Sequence, residues 1–573
     1  MPLVLLLFLV LAGTAVAAPI PDPGPSDQKE FAGSPWDPRP VFAPPAPRHP
    51  FMARNQRSNI HSDAFQTDTN AWSGPLGFDT ETISHYEAPG GVCGSITFNS
   101  KGQIVTTCLQ ARAVRLKLFD AQTLEELASM ELPPRAPNPN PFQDFAGGGY
   151  FYLDNRDRAV VPTTERHILV IALRDGAFAV EKDYDLTAAL PEGAKIISAL
   201  PDWSGRIWLA TTAGRVAVIN PATGAIRTYD LGEVVQNSFA VGDEGDVYIV
   251  SEKALYRFSA AADGTPAVVW RKQYENSGEQ KPGQVSAGSG TTPTLHGDDW
   301  VSITDNADPM NVVVYRRSTG EEICRQAVFT AGQSATDNSL IGAGHSIVVE
   351  NNYGYTGPAA TEQGARTAPG IERVDVDADG VGCHRVWHSD EISPTLVPKL
   401  SLANGLVYVY TQDPEGDSDD PWFLTALDFR TGRTVWKRFT GSGLGFNNNY
   451  APVSIGPDGT AYVGVLGGLL LVRDRTPPRP FADTRPRLSV SVSPRRVRPR
   501  RRVTLRFRVT APSGGVVAPV RGARVQIGRR SATTAGDGRA RVRFRAGRRT
   551  KRYAVRVTKA AYRTGHAEVR ARR

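Results

Sequence analysis

Ser238-Phe-Ala-Val-Gly-Asp-Glu-Gly-Asp-Val-Tyr-Ile-Val250, then Ala254-Leu-Tyr-Arg-Phe258, then Ala267-Val-Val-Trp270, reads as consecutive antiparallel strands. Each run is short, rich in β-branched and aromatic residues, and bounded by Gly/Asp turns, with no 3.6-residue periodicity. The same unit recurs from about residue 79 to 474, with first turns expected near Asn99, Gly147, Asp202, Gly242, Gly297, Gly342, Asn404 and Gly456. Intervals of about 40–60 residues match four-stranded propeller blades, and eight are expected. The last unit has three strands, at 452–455, 461–465 and 469–472, while an orphan strand at 80–87 precedes the first full unit. That matched deficit and surplus points to an all-β, eight-bladed β-propeller with ring closure by the N-terminal strand, since closure removes free sheet edges. A tandem of sandwiches would not leave it.

Two units carry an inner motif, Ala426-Leu-Asp-Phe-Arg-Thr-Gly-Arg-Thr-Val-Trp436 and Tyr315-Arg-Arg-Ser-Thr-Gly-Glu-Glu-Ile-Cys324; Asn220-Pro-Ala-Thr-Gly-Ala-Ile-Arg-Thr-Tyr229 follows the same plan. These resemble the repeats of the pyrroloquinoline-quinone-type propellers, the quinoprotein alcohol dehydrogenase-like superfamily. The resemblance implies a Thr-Gly turn whose glycine takes a positive φ and a Trp that docks between blades. It also raises pyrroloquinoline quinone as a cofactor. Enzymatic members typically carry adjacent cysteines beside the quinone, and this chain has none, which argues against quinone chemistry here.

The four cysteines suggest two disulfides in an exported chain. A two-residue turn at Ser100-Lys101 would pair Asn99 with Gly102 and, because antiparallel pairs keep a constant sum of residue numbers, Cys93 with Cys108. Cys324 and Cys383 remain by elimination. Cys324 takes the place in its unit that Trp436 fills in its own, facing the next blade, where Cys383 lies. No C-x-x-C spacing favours a metal.

Over 573 residues the formal charge is +8, but residues 475–573 carry 30 Lys/Arg against 3 Asp/Glu, a net +27, which leaves −19 for residues 1–474. An acidic body is joined to a basic tail, and attraction between them is expected to guide their docking. An apolar run from Leu3 to Val16 ending in Ala15-Val16-Ala17 predicts a secretory signal over 1–17 and hence a secreted, envelope-associated protein, although no basic residue precedes the run. Residues 18–57 read as a Pro-rich linker, 58–78 as a cover segment, 79–474 as the blades, 475–486 as a second linker and 487–573 as the tail domain. That domain resembles a bacterial immunoglobulin-like sandwich, with strands expected at 488–492, 503–509, 523–527, 540–544, 553–557 and 567–569. Period-two alternation sends the apolar residues of two of these strands one way and Arg506, Arg508, Arg541, Arg543 and Arg545 the other. If the strands are neighbours, the arginines plate one face suited to anionic wall polymer or acidic polysaccharide. Sparse aromatics and the lack of a nucleic-acid-binding fold argue against nucleic acid. Charged protection of exposed strands is the competing explanation.

Catalytic signatures are missing: there is no G-x-S-x-G elbow and no H-E-x-x-H. Asp375-Val-Asp377-Ala-Asp379-Gly380 copies the start of a calcium loop, but Cys383 and Val386 stand at the ninth and twelfth positions, so an EF-hand is excluded. An Asp/Gly turn is the expectation, with a partial calcium site at Asp375, Asp377 and Asp379 as the alternative. Polar residues where innermost strands begin converge on a propeller axis. Asn237, Thr291, Thr292, Asp337, Asn338, Asn447, Asn448 and Asn449 are therefore candidates to bind a small-molecule or glycan ligand, joined by His61, Asp63 and Asp68 from the cover segment. The reading is a secreted binding or scaffold protein with an axial ligand site and a polyanion-binding domain. The alternative is a secreted propeller enzyme, either a quinone-dependent oxidoreductase or a glycan lyase or hydrolase.

Overall fold

The structure, a computed structural model, describes residues 28–572 apart from 88–90, 139, 414–418, 477–481 and 549. The expected signal segment lies outside the described residues. Eight antiparallel sheets follow one another along residues 80–474, at 92–132, 152–185, 196–230, 240–273, 294–327, 341–389, 399–442 and 453–474. Burial explains the strand order within each. In the third sheet, Ile196–Pro201 and Ile207–Thr211 are buried throughout, whereas the last strand, Ile226–Asp230, is largely exposed. The strands that read as continuous apolar runs lie inside, and the alternating polar ones lie outside. This gradient is that of a β-propeller.

Thr80–Tyr86 pairs antiparallel with Gly468–Asp474, Thr80 opposite Asp474 and Tyr86 opposite Gly468. Asp474 reinforces the junction by accepting the backbone N–H groups of Leu76, Gly77 and Phe78 at 2.7–3.0 Å. The eighth sheet in turn packs on the first: Tyr462 donates its hydroxyl to Ala121 O at 2.7 Å, and a Cβ at Gly464 would lie 2.4 Å from Cys93 O. Between other sheets, Trp270 Nε1 donates to Arg317 O and Trp387 Nε1 to Phe429 O, both at 2.9 Å. Each indole lies on the glycine of the next sheet's Thr-Gly turn, Gly320 and Gly432 respectively.

Both disulfides form, Cys93–Cys108 and Cys324–Cys383, the second joining the outer strands of the fifth and sixth sheets. The hairpin that sets the first differs from expectation. Phe98 pairs with Ile104 and Thr97 with Val105, around a three-residue turn in which Gly102 N–H returns to Asn99 O. A one-residue irregularity between Cys93 and Thr97 then restores the Cys93–Cys108 register. The first turn of the second sheet lies at Asp154–Asp157, not near Gly147. Gly147 and Gly148 belong instead to a loop after residue 132, where their positive φ lets the chain pack against Thr107 and Thr164.

The Pro-rich stretch is no free linker from residue 28 on. Phe31–Gly33 adds an outer strand to the seventh sheet, and Val41 and Ala43 are buried. Residues 57–70 fill the axis. The carbonyls of Arg57, Ser58, Ala64, Phe65, Thr67 and Asp68 accept the N–H groups of Phe98, Leu153, Val241, Leu295, Gly342 and Leu400, one from the innermost strand of each of six sheets. Those strands would otherwise present unpaired backbone to the channel.

Residues 489–571 form two further sheets, one containing Ser489–Ser493, Arg502–Ser513, Val516–Pro519 and Arg539–Arg545, the other Arg496–Val497, Gly565–Ala571, Lys551–Thr558, Arg524–Ile527 and Arg530–Thr533. Leu505, Phe507, Val525, Val542, Val555 and Val569 fill the space between them. Three short strands, at 496–497, 516–519 and 530–533, are too small to show alternation and escape the sequence reading. Docking on the propeller is by backbone more than by charge. Gly514 N–H donates to Phe42 O, Gly515 N–H to Ser346 Oγ and His345 N–H to Ser513 O. Lys559–Asp298, at 3.0 Å, is the ion pair across this junction among the described residues.

Candidate functional site

The axial segment brings His61, Asp63 and Asp68 into the interior instead of leaving them as a polar cover. Asp63 is used up locally, accepting Thr67 Oγ1–H at 2.6 Å and Phe65 N–H at 2.9 Å. Burial pushes its carboxyl up to about 7. Asp68 accepts from His61 Nδ1 at 3.0 Å and pairs with Lys399, a residue on the innermost strand of the seventh sheet whose Nζ also donates to Ile60 O at 2.6 Å. Burial lowers the Lys399 ammonium against the opposing pull of Asp68. Lys399 escaped the sequence reading because it sits alone in an apolar run, with no local partner. In the neutral imidazole, Asp68 as acceptor places the proton on Nδ1 and leaves the Nε2 lone pair free. Nε2 lies 3.4 Å from both Thr292 Oγ1 and Ser339 Oγ.

Beside this network is a cavity of about 330 Å³. Val92, Phe142, Phe145, Val397, Leu444 and Leu466 make its apolar wall, while Tyr150, Asp337, Asn338, Ser339 and Asn449 supply its polar atoms. Asp337 accepts Val285 N–H at 2.9 Å, and burial holds its carboxyl well above the usual carboxylate range. Asn338 donates to Glu350 at 2.7 Å, itself raised by burial, and Asn449 donates to Phe142 O at 3.2 Å. Arg135 and Asp144 also line the cavity; burial raises the Asp144 carboxyl, but Lys195 at 2.7 Å, Asn138 and Ala146 N–H together bring it below its ordinary value. Phe142, Phe145, Asp144 and Tyr150 come from the loop after residue 132. Its only sequence signal was the proline-rich run 133–141 stretching the interval between the first two units.

Five axial candidates do not line the cavity, among them Thr292, whose Oγ1 faces His61 instead. Asn237 donates to Ser289 O, Thr291 accepts Thr304 N–H, Asn447 joins Tyr355 to Thr361, and Asn448 bonds Thr395 O and Ala451 O. The acidic run at 375–379 divides among separate partners. Asp375 makes a bidentate pair with Arg373 at 2.6–2.8 Å, Asp377 accepts from His384, and Asp379 caps Val381 N–H. With Asp375 neutralised by a buried guanidinium, the three do not form a shared cation cage.

In the basic domain, Arg502, Arg506 and Arg508 stand opposite Arg545, Arg541 and Arg539 on paired strands, with Arg543 opposite Thr504. All seven arginines are exposed, whereas the alternate residues Leu505, Phe507, Val509, Val542 and Phe544 are buried. Arg539 reaches Asp537 at 3.7 Å and Arg545 donates to Arg500 O; Arg502, Arg506, Arg508, Arg541 and Arg543 have no acidic partner among the described residues.

No family model matches the chain. An uncharacterized protein of Archaeoglobus fulgidus is 29% identical over 323 residues, 49% of this chain and 62% of the relative, so the match spans less than two thirds of that protein. Among solved structures, BamB from Moraxella catarrhalis is similar over 68% of this chain and 93% of that one, with 13% identity and a TM-score of 0.37. Streptogramin B lyase is similar over 69% and 97%, at 12% identity and a TM-score of 0.36.

Proposed function

We propose that the chain is an eight-bladed propeller, closed by the pairing of Thr80–Tyr86 with Gly468–Asp474, that is exported, binds a small ligand in its axial cavity, and is held on an anionic polymer by an immunoglobulin-like basic domain. The observation that carries the attachment is the arginine face. Like charges directly opposite in an antiparallel pair cost folding free energy, so a face built from three Arg–Arg pairs, with Asp537 beside Arg539 as its one acidic partner among the described residues, is satisfied best by an external polyanion. Guanidinium forks bind phosphate, sulfate and carboxylate in bidentate fashion. Two disulfides suit an oxidising compartment.

Retention of the full chain on an immobilised anionic polysaccharide, measured against salt, tests this. Retention should be strong at low salt and fall steeply as the Debye length shrinks toward about 8 Å. Equal retention of an Arg506→Gln/Arg508→Gln/Arg541→Gln/Arg543→Gln variant would remove the face from the function.

A further inference from the structure

We propose that Ser339, His61 and Asp68 form a nucleophilic relay that cleaves small carboxylic esters bound in the axial cavity. The inference rests on the cavity's being a ligand site and is independent of the arginine face. His61 Nε2 faces Ser339 Oγ at 3.4 Å, and its Nδ1 is held by Asp68 at 3.0 Å, the order of contacts that orients an imidazole as a general base. Contacts of this kind are commonly long without substrate. Thr292 Oγ1 is equally near His61, but Ser339 lines the cavity and Thr292 does not. Moreover, Thr292 N–H donates to Ser339 Oγ at 3.3 Å, so the serine's own proton is directed elsewhere, toward Nε2. Lys399 on Asp68 keeps that carboxylate in place within a fully buried site.

The remaining parts are in the same cavity. Tyr150 stacks on His61, with ring centroids 6.1 Å apart, and its hydroxyl has no hydrogen-bond partner among the described residues. Burial, then Asp337 and Asp68, push the Tyr150 phenol up, so it stays a neutral donor for an oxyanion. Ser339 Oγ forms a bond to the ester carbonyl carbon as its proton passes to His61 Nε2. The tetrahedral intermediate collapses with cleavage of the carbon–oxygen bond, and His61 returns the proton to the departing alcohol. Water repeats the sequence on the acyl-serine and releases the carboxylic acid. The apolar wall of Val92, Phe142, Val397 and Leu466 and the volume of about 330 Å³ suit a short acyl or aryl group.

The test is labelling of the full chain by a small alkyl fluorophosphonate, with the modified peptide mapped by mass spectrometry, alongside hydrolysis of p-nitrophenyl butyrate. Expected are a phosphonyl group on Ser339, its loss in Ser339→Ala with a cooperative melting transition retained, and labelling retained in Thr292→Val. The labelling rate should fall about 100-fold or more in His61→Gln. Failure of the folded protein to label, or labelling of Ser339→Ala at the original rate, overturns the relay. Thermal stabilisation by the unreactive p-nitrophenyl butyl ether without labelling overturns the relay while keeping the ligand site. Neither stabilisation nor labelling overturns both.

Discussion

Arg506 and Arg541 stand directly opposite each other on paired antiparallel strands, both exposed and without an acidic neighbour. Opposed like charges cost about 0.2–1 kcal/mol. Arg541→Gln should therefore raise the unfolding free energy at low salt by a few tenths of a kcal/mol while weakening retention on polyanion. The gain in stability should fade above about 0.5 M salt as screening removes the repulsion it relieves. Denaturant unfolding at two ionic strengths, beside the retention assay, checks both signs.

Three Thr-Gly turns share a local sequence but not a neighbour. Gly432 lies under Trp387, where an added Cβ would be 2.5 Å from the indole; Gly320 lies under Trp270 at 2.8 Å; Gly224 has nothing within 4 Å. All have φ near +70°. Gly224→Ala should cost the backbone strain alone, roughly 1–2 kcal/mol. Gly432→Ala should cost about 2 kcal/mol more, because the indole must shift and surrender its bond to Phe429 O. Melting temperatures of the three alanine variants give the comparison.

How far the sequence reaches is visible in individual residues. The alternation of Arg539, Arg541, Arg543 and Arg545 with apolar residues placed the arginine face correctly, because a strand's period of two is local information. The same holds for the sheet succession and for the unmatched strand before the first unit. Cys93 and Cys108 were paired through a turn that is one residue longer than expected, with a compensating irregularity upstream, so the right partner came from the wrong register. Long-range convergence was not legible. Nothing near Lys399 announces Asp68, 331 residues away, and nothing in Gly149-Tyr150-Phe151 announces a cavity wall. Polar residues at strand starts are expected at the axis, but whether each faces a cavity or a neighbouring backbone depends on packing among several sheets. Hence Asp337, Asn338 and Asn449 line the cavity while Asn237, Asn447 and Asn448 do not.

Asp63 predicts a pH dependence of stability. Its folded pKa, raised by burial to about 7, exceeds the value of about 3.9 for an unfolded aspartate. Between those values the folded state holds a proton that the unfolded state releases. Stability from this group is thus complete below about pH 4 and is lost as pH rises through about 7. Asp63→Asn, which cannot ionise, should flatten the fall in unfolding free energy between pH 4 and 7. Equal slopes in the two proteins would show that Asp63 stays ionised.

Asp474 ties the last strand of the propeller to the chain that enters it. Its two oxygens accept three consecutive N–H groups, those of Leu76, Gly77 and Phe78, immediately before the Thr80–Tyr86 strand that pairs with its own. Leu76 is 6% exposed and Gly77 is buried against Trp436, so water cannot replace the carboxylate at either. Asp474→Ala should then leave two buried donors unsatisfied, at about 1–3 kcal/mol each. If Thr80–Tyr86 closes the ring, the loss is not confined to the turn. Amide exchange should quicken along 80–86 and 468–474 together, because neither strand has another partner on that edge. Faster exchange at 76–78 alone would instead make Asp474 a local cap, with closure resting on the strand pairing and the packing of Tyr462 against the first sheet.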